Sequence, residues 1–235
     1  MTAPPASRGH TTGFVNDLWE AQLAIEQESH TVKSIAWSFI GDGDGELQWP
    51  AARQGHSATV LHGQVVVFGG SYPAMALNDC WMLDPTTKCW TVLVPDPGPL
   101  PEPRAGHTAA AVGAGRMLVF GGNTTAATLS PELWCLELPA PGTAGSPQRA
   151  RQLRPTEVGD GLACSWSLLS VRGTPPSARI GHSATLVGSR LLVFGGRNLF
   201  GEAAGSPPTF LPLHTHTPHH QQKTTTLTPA LLCSY

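Results

Sequence analysis

Charge is scarce along this chain. Of 235 residues only 13 percent are Asp, Glu, Lys or Arg, the formal net charge is −2, and the 14 Lys and Arg are dispersed. A nucleic-acid footprint needs cations gathered on one face, so that class of partner is not expected. No run of eighteen apolar residues occurs, which excludes a membrane-spanning helix of ordinary length, and Met1 to Gly13 lacks the apolar stretch of a secretory signal. The expected location is cytoplasmic. The five cysteines are an odd number without any C-x-x-C pair, which argues against a disulfide framework and against a zinc knuckle. A Cys80 to Cys89 bridge and use of the Asn123-Thr124-Thr125 sequon are both disfavoured in a chain without an export signal. Also missing are G-x-S-x-G, a Walker loop, H-E-x-x-H, and a Cys set beside a His or Asn in a catalytic context. The chain is therefore expected not to be an enzyme and to hold no cofactor or metal.

What the chain does contain is repetition. Pro-x-x-Arg-x-Gly-His-(Ser/Thr) occurs at 50–57, 101–108 and 176–183, each followed by an apolar run closed by Phe-Gly-Gly: Phe68-Gly69-Gly70, Phe120-Gly121-Gly122 and Phe194-Gly195-Gly196. The recurring residues are thus Arg53, His56, Arg104, His107, Arg179 and His182 with their glycine pairs. After the glycines comes Asn78-Asp79-Cys80-Trp81, then Pro131-Glu132-Leu133-Trp134, and further tryptophans stand at Trp90 and Trp166. Arg53 and Arg104 are 51 residues apart, and Arg104 and Arg179 are 75 apart because an insertion over 139–163 lengthens the second unit. A period near fifty marks stacked supersecondary units.

Each unit reads as four short strands: in the first, His56 to Leu61, Val65 to Phe68, Cys80 to Leu83 and Cys89 to Leu93, with turn residues His62-Gly63 and Asp84-Pro85-Thr86-Thr87 between them. Val-Val-Val-Phe, Met-Leu-Val-Phe and Leu-Leu-Val-Phe are apolar at successive positions, which a sheet tolerates when both faces are covered. Cys80, Cys89 and Cys135 fall beside strand tryptophans, where a small buried apolar side chain is expected.

The double glycine, the Asn-Asp-x-Trp segment and the spaced tryptophan together resemble the kelch repeat over roughly residues 14–196. The resemblance implies an all-β fold, a kelch-type β-propeller of four-stranded antiparallel blades. The chain departs from a full ring. Asn16-Asp17-Leu18-Trp19 and Ile35-Ala36-Trp37-Ser38 supply only strands three and four of an opening unit, and the closing unit stops at Gly196, which leaves about three blades' worth where rings hold about 4 to 8. The expectation is an incomplete propeller, the product of a truncated or alternatively spliced chain or of a mis-spliced gene model. Residues 1–13, with Arg8-Gly9-His10-Thr11, form a partial repeat remnant, 14–196 the propeller segment, and 197–235 a low-complexity, disordered tail. His214, His216, His219 and His220 lie in that tail without Cys or carboxylate partners, so specific zinc binding is not expected. Copper chemistry of the galactose oxidase type, a distant propeller relative, is excluded by a shortage of tyrosine, with only Tyr72 and Tyr235 present.

Groups that recur once per unit are better explained by structure than by catalysis. The histidines are expected to hydrogen-bond at the entry to strand one, and the arginines to tie loop carbonyls or the carboxylates of Asp79, Asp17 and Glu132. Variable residues lie in the loops after each double glycine, 71–77, 123–130 and 197 onward, and in links such as 95–103, all on one face of the blades. A protein partner is expected there, with Tyr72, Met75, Asn123, Arg197 and Asn198 as contacts. Alternative readings are the regulatory propeller of a multidomain enzyme or ligase adaptor, and a product without independent function. Self-association that completes a ring stays open.

Overall fold

A computed structural model describes residues 13–43, 48–125, 128–140, 161–198 and 210–212. Among these residues every regular element is a strand. An opening half unit consists of β1 (Leu18–Ile25) and β2 (Val32–Gly41), paired antiparallel with Trp19 opposite Phe39 and Ala21 opposite Trp37. The first full unit is β3 (Ser57–Leu61), β4 (Gln64–Tyr72), β5 (Met75–Leu83) and β6 (Trp90–Pro95), hydrogen-bonded in that order. The second comprises β7 (Arg104–Ala105), β8 (Thr108–Val112), β9 (Arg116–Phe120), β10 (Asn123–Thr124), β11 (Leu133–Glu137) and β12 (Leu162–Leu168). A closing unit holds β13 (Ser183–Val187), β14 (Arg190–Phe194) and β15 (Phe210–Pro212).

Local chemistry accounts for the turns. His62 and Gly63 both have positive φ, 50° and 77°, the primed geometry that matches the twist of a tight hairpin. Asp84 Oδ1 accepts from the Thr86 and Thr87 amides at 2.7 and 3.3 Å and so closes the β5–β6 connection as an Asx turn.

The apolar runs are explained by alternation between two neighbours. On β9, Met117 and Val119 join Leu61, Val66, Phe68 and Leu93 of the first full unit in one cluster. Leu118 and Phe120 point the other way and cluster with Leu191 and Val193 of the closing unit. Each face of the β9 sheet is thus covered by a different unit, and consecutive residues are all buried for that reason. The innermost strands β3, β8 and β13 stand side by side, as the contacts of β8 with both β3 and β13 show. The arrangement is that of part of a propeller.

Four expectations are corrected. The two full units do not remain separate antiparallel sheets: β12 pairs parallel with β6, Leu162 opposite Leu93 and Cys164 opposite Pro95, and an eight-stranded sheet results. β12 therefore begins inside the stretch assigned to the insertion. Residues 71–77 are not an irregular loop, because β4 and β5 run on past a bulge at Phe68 and Gly70 to a hairpin that pairs Tyr72 with Met75. Cys89 is exposed and precedes β6 instead of filling a core slot, whereas Cys80 is buried and Cys135 half-buried. Phe210–Pro212, placed in the disordered tail by sequence, pairs with β14 over Arg190 to Leu192. The remnant before residue 13, most of the insertion and most of the tail, including its histidines, lie outside the described residues.

Candidate functional site

The face that carries the double-glycine ends is built from three copies of one small device. The residue between Arg and Gly in each motif bridges the residue after the glycine pair: Gln54 with Ser71, Ala105 with Asn123, and Ile180 with Arg197. Gln54 and Ser71 exchange both backbone hydrogen bonds, at 3.1 and 2.9 Å, and Ile180 and Arg197 do so at 3.0 Å each. These bridges hold the segment just before each innermost strand against the residue that follows each glycine pair. They set the backbone of Asn123 and Arg197 while leaving both side chains exposed.

Beneath this rim the arginines anchor the loops. Arg53 donates to the Gly69 carbonyl at 3.0 Å and, through both terminal nitrogens, to Asp79 at 2.8 Å each. Arg104, fully buried, donates to the Gly121 carbonyl at 3.2 Å and to Glu132 Oε2 at 3.2 Å. Arg179 reaches the Gly195 carbonyl at 3.0 Å but turns its other arm to Ser177 Oγ at 3.2 Å. Asp79 and Glu132 also receive the strand-three indoles, Trp81 donating to Asp79 at 2.7 Å and Trp134 to Glu132 at 2.9 Å, and in the opening half unit Trp19 donates to Asp17 at 2.7 Å. One carboxylate thus joins the guanidinium to the indole in each full unit, and the paired charges suit a partly buried setting. Trp90, by contrast, packs edge-on against Trp49 with ring centroids 5.9 Å apart, and Trp166 lies against Phe68 at 4.8 Å.

Two of the histidines make their side-chain contacts across a unit boundary. His107 Nε2 meets Ser57 Oγ at 2.9 Å and His182 Nε2 meets Thr108 Oγ1 at 2.7 Å, so each ring reaches back to the preceding unit. The partners Ser57 and Thr108 were overlooked in the sequence, although a Ser or Thr follows every repeat histidine and was available as a signal. Each ring also stacks edge-on against the phenylalanine of the preceding unit, His107 on Phe68 and His182 on Phe120. Burial, reinforced by the charge of Arg104, brings the His107 pKa down to about 3. Burial and Arg179 bring His182 down to about 4, and burial with Arg53 lowers His56. All three imidazoles are neutral near pH 7, and His107 and His182 serve as packing groups that each meet a hydroxyl of the preceding unit.

The proposed contact residues occupy different positions on this face. Met75 is 68 percent exposed at the tip of the β4–β5 hairpin. Tyr72, its cross-strand neighbour, is half-buried with its ring edge-on to Phe14 at 5.5 Å. Asn198 is half-buried. Among the described residues no three His, Cys, Asp or Glu side chains are grouped as a metal site, and no helix is long and apolar enough to cross a membrane.

Comparison with known proteins agrees with this architecture. The KLHDC2/KLHL20/DRC7 Kelch-repeats domain matches residues 7–141 and 93–226. An F-box/kelch-repeat protein of Arabidopsis thaliana is 29 percent identical over 193 residues, covering 79 percent of this chain and 36 percent of the relative. Kelch domain-containing protein 10 of Xenopus tropicalis is 41 percent identical over 105 residues, 44 percent of this chain and 25 percent of the relative. The Rho GTPase-activating protein gacHH of Dictyostelium discoideum is 33 percent identical over 147 residues, 63 percent of this chain and 8 percent of the relative. The chain thus spans about a third or less of the length of these relatives. The family model reaches across both full units and into both partial ones, over the Arg-x-Gly-His and Gly-Gly positions whose contacts build the rim, and on this ground the chain belongs to the kelch-repeat family.

Proposed function

We propose that this chain is a non-catalytic protein-interaction module that grips a protein partner with the double-glycine face. Kelch repeats are generally interaction modules, and one relative above is named as an F-box/kelch-repeat protein. The observation that carries the reading is the contrast on one rim: backbones fixed by the three repeated bridges, side chains of Met75, Asn123 and Arg197 turned outward. A rigid frame that presents an adaptable Met beside polar groups suits recognition, because little ordering entropy is lost on binding. Tyr72 and Asn198 flank these three. The low net charge, −2, favours a partner held by shape and apolar contact over one steered by a strong field.

The test compares partners recovered by proximity labelling in cells with wild-type chain, Met75→Asp and a Cys89→Ser control at an exposed site away from this face. The Met75→Asp variant is expected to keep the wild-type melting temperature and to lose the specific partner at least tenfold. Undiminished recovery of the same partner by Met75→Asp and by an Asn123→Arg, Arg197→Glu double variant removes the face from consideration.

A further inference from the structure

The link between the two full units, residues 95–103, has proline at every second position: Pro95, Pro97, Pro99, Pro101 and Pro103. Each proline fixes its φ and removes an amide donor, so the link is stiff, and residues 96–103 join no sheet. Both of its ends are pinned. The Asp96 amide donates to the Cys164 carbonyl at 2.8 Å, and Asn78 Nδ2 donates to the Pro101 carbonyl at 3.4 Å.

Between these two points the link borders a cleft of about 410 Å³ at the joint of the two units. Cys80, Leu93 and Trp166, all buried, form its deep part, Trp81 and Pro95 stand above them, and Leu100, 42 percent exposed, forms its lip. That volume lies in the usual range of binding clefts, about 300–1,000 Å³. The lining is mostly apolar, but the edge is acidic. Asp96 and Glu102 adjoin the lining residues Pro95 and Pro101, both are exposed, and among the described residues neither forms an ion pair. Asp79 lines the cleft, and its side chain is 40 percent exposed where that of its partner Arg53 is 4 percent exposed, so this ion pair turns its negative end outward. The link itself contains no Lys or Arg.

The second full unit has the same cleft with a different edge. Leu168, Leu169 and Pro175 line about 400 Å³ there. Leu168 and Leu169 stand two and three residues after Trp166, as Val92 and Leu93 do after Trp90. The adjoining segment 169–178, however, has no carboxylate and carries an exposed Arg172. Recurrence of the cleft follows from the construction of a blade. Carboxylates at one cleft and a cation at the other do not, and they give the first cleft a preference of its own.

We propose that the first cleft binds an extended segment of a protein partner in which apolar side chains are flanked by Lys or Arg. The apolar groups enter the cleft, and the cations meet Asp96 and Glu102. Apolar burial supplies the affinity and the complementary charges set the choice of partner. The stiff link loses little freedom on binding. None of Met75, Asn123 and Arg197 lines this cleft, and the proposal does not rest on the reading of their rim.

Fluorescence anisotropy on the full chain tests this with a fluorescein-labelled Lys-Arg-Leu-Phe-Arg-Lys peptide. The wild type is expected to bind it, and an Asp96→Lys, Glu102→Lys double variant to bind about tenfold more weakly, the effect of reversing two exposed charges. Leu100→Ser is expected to weaken binding about fivefold through the lost apolar contact. Leu168→Ser at the second cleft and Met75→Asp on the rim are expected to bind like the wild type, which separates a failure here from a failure of the partner-binding face. All the substituted side chains are exposed, and each variant is expected to keep the wild-type melting temperature. A wild type that does not bind overturns the proposal. So does undiminished binding by the charge-reversed or Leu100→Ser variant, or by a peptide with Ser in place of Leu and Phe. Binding that tightens about tenfold when Arg149, Arg151 and Arg154 are replaced by Ser would give the cleft to that segment of the same chain, and overturns it as well.

Discussion

Gly121→Ala is expected to destabilise the chain by about 3–4 kcal/mol, against about 1–2 kcal/mol for Gly113→Ala. Both glycines have φ close to +70°, +74° and +71°, so both substitutions place an L residue in the left-handed region at the same conformational cost. They differ in surroundings. A Cβ at Gly113 meets nothing within 4 Å, whereas at Gly121 it stands 2.7 Å from the Arg179 carbonyl oxygen and 2.7 Å from the His182 ring. The carbonyl belongs to the backbone of the next unit, which also receives the Gly122 amide at 2.9 Å, so it cannot retreat without opening the junction. The additional loss at Gly121 measures how tightly the second full unit and the closing unit are pressed together. Urea unfolding of the two variants checks it, and equal midpoints for both would show that this junction does not form as described. Against a total stability of about 5–15 kcal/mol for an ordinary domain, the Gly121 variant stands close to the limit of folding.

Acid is expected to unfold the array through its junction histidines. His107 and His182 have pKa values of about 3 and about 4 in the folded chain, against 6.5 for an unperturbed imidazole. The unfolded state therefore binds more protons than the folded state between those values, and stability falls as pH falls from about 6.5 towards 3. The loss is on the order of 2–3 kcal/mol for each ring by pH 4. Its cause is local. Each ring is buried, which disfavours its charged form, and lies in the field of Arg104 or Arg179. Melting temperatures between pH 7.5 and 4.5 check this, a range above most of the carboxylate titrations. The wild type should lose stability across that range and a His107→Gln, His182→Gln double variant should lose much less. A flat wild-type profile would mean that the two imidazoles are not buried neutral at the junctions.

The blades were legible in the sequence because their determinants are periodic. Four-residue apolar runs closed by Phe-Gly-Gly require cover on two faces, and β9 receives it from a different unit on each side. Turn residues such as His62-Gly63 carry their own geometry and appeared where expected. Contacts between units were less legible, because nothing in a repeat says whether its histidine bonds at home or to its neighbour. The Ser57 to His107 pair crosses fifty positions, and only the stacking of blades brings it together. The parallel joint of β6 and β12 was hidden for a related reason: its first residues lie at the end of a Pro- and Gly-rich insertion that reads as loop. On the candidate face, the exposed tip at Met75 was recognisable as a variable segment between strands. Its hairpin form was not, because the bulge at the double glycine resets the register that alternation alone would continue.

Amide hydrogen exchange at Gly106 and Gly181, resolved by NMR, tests most directly whether the units stack edge to edge around an axis. Each of these amides donates to the matching glycine of the preceding unit, Gly106 to Gly55 and Gly181 to Gly106, and neither hydrogen bond exists within an isolated unit. Protection close to that of Val119 in the middle of β9 is the result expected of a stacked array. Exchange at the rate of an open loop, with Val119 still protected, would show units that fold singly without the inter-unit ladder and would contradict the propeller arrangement itself.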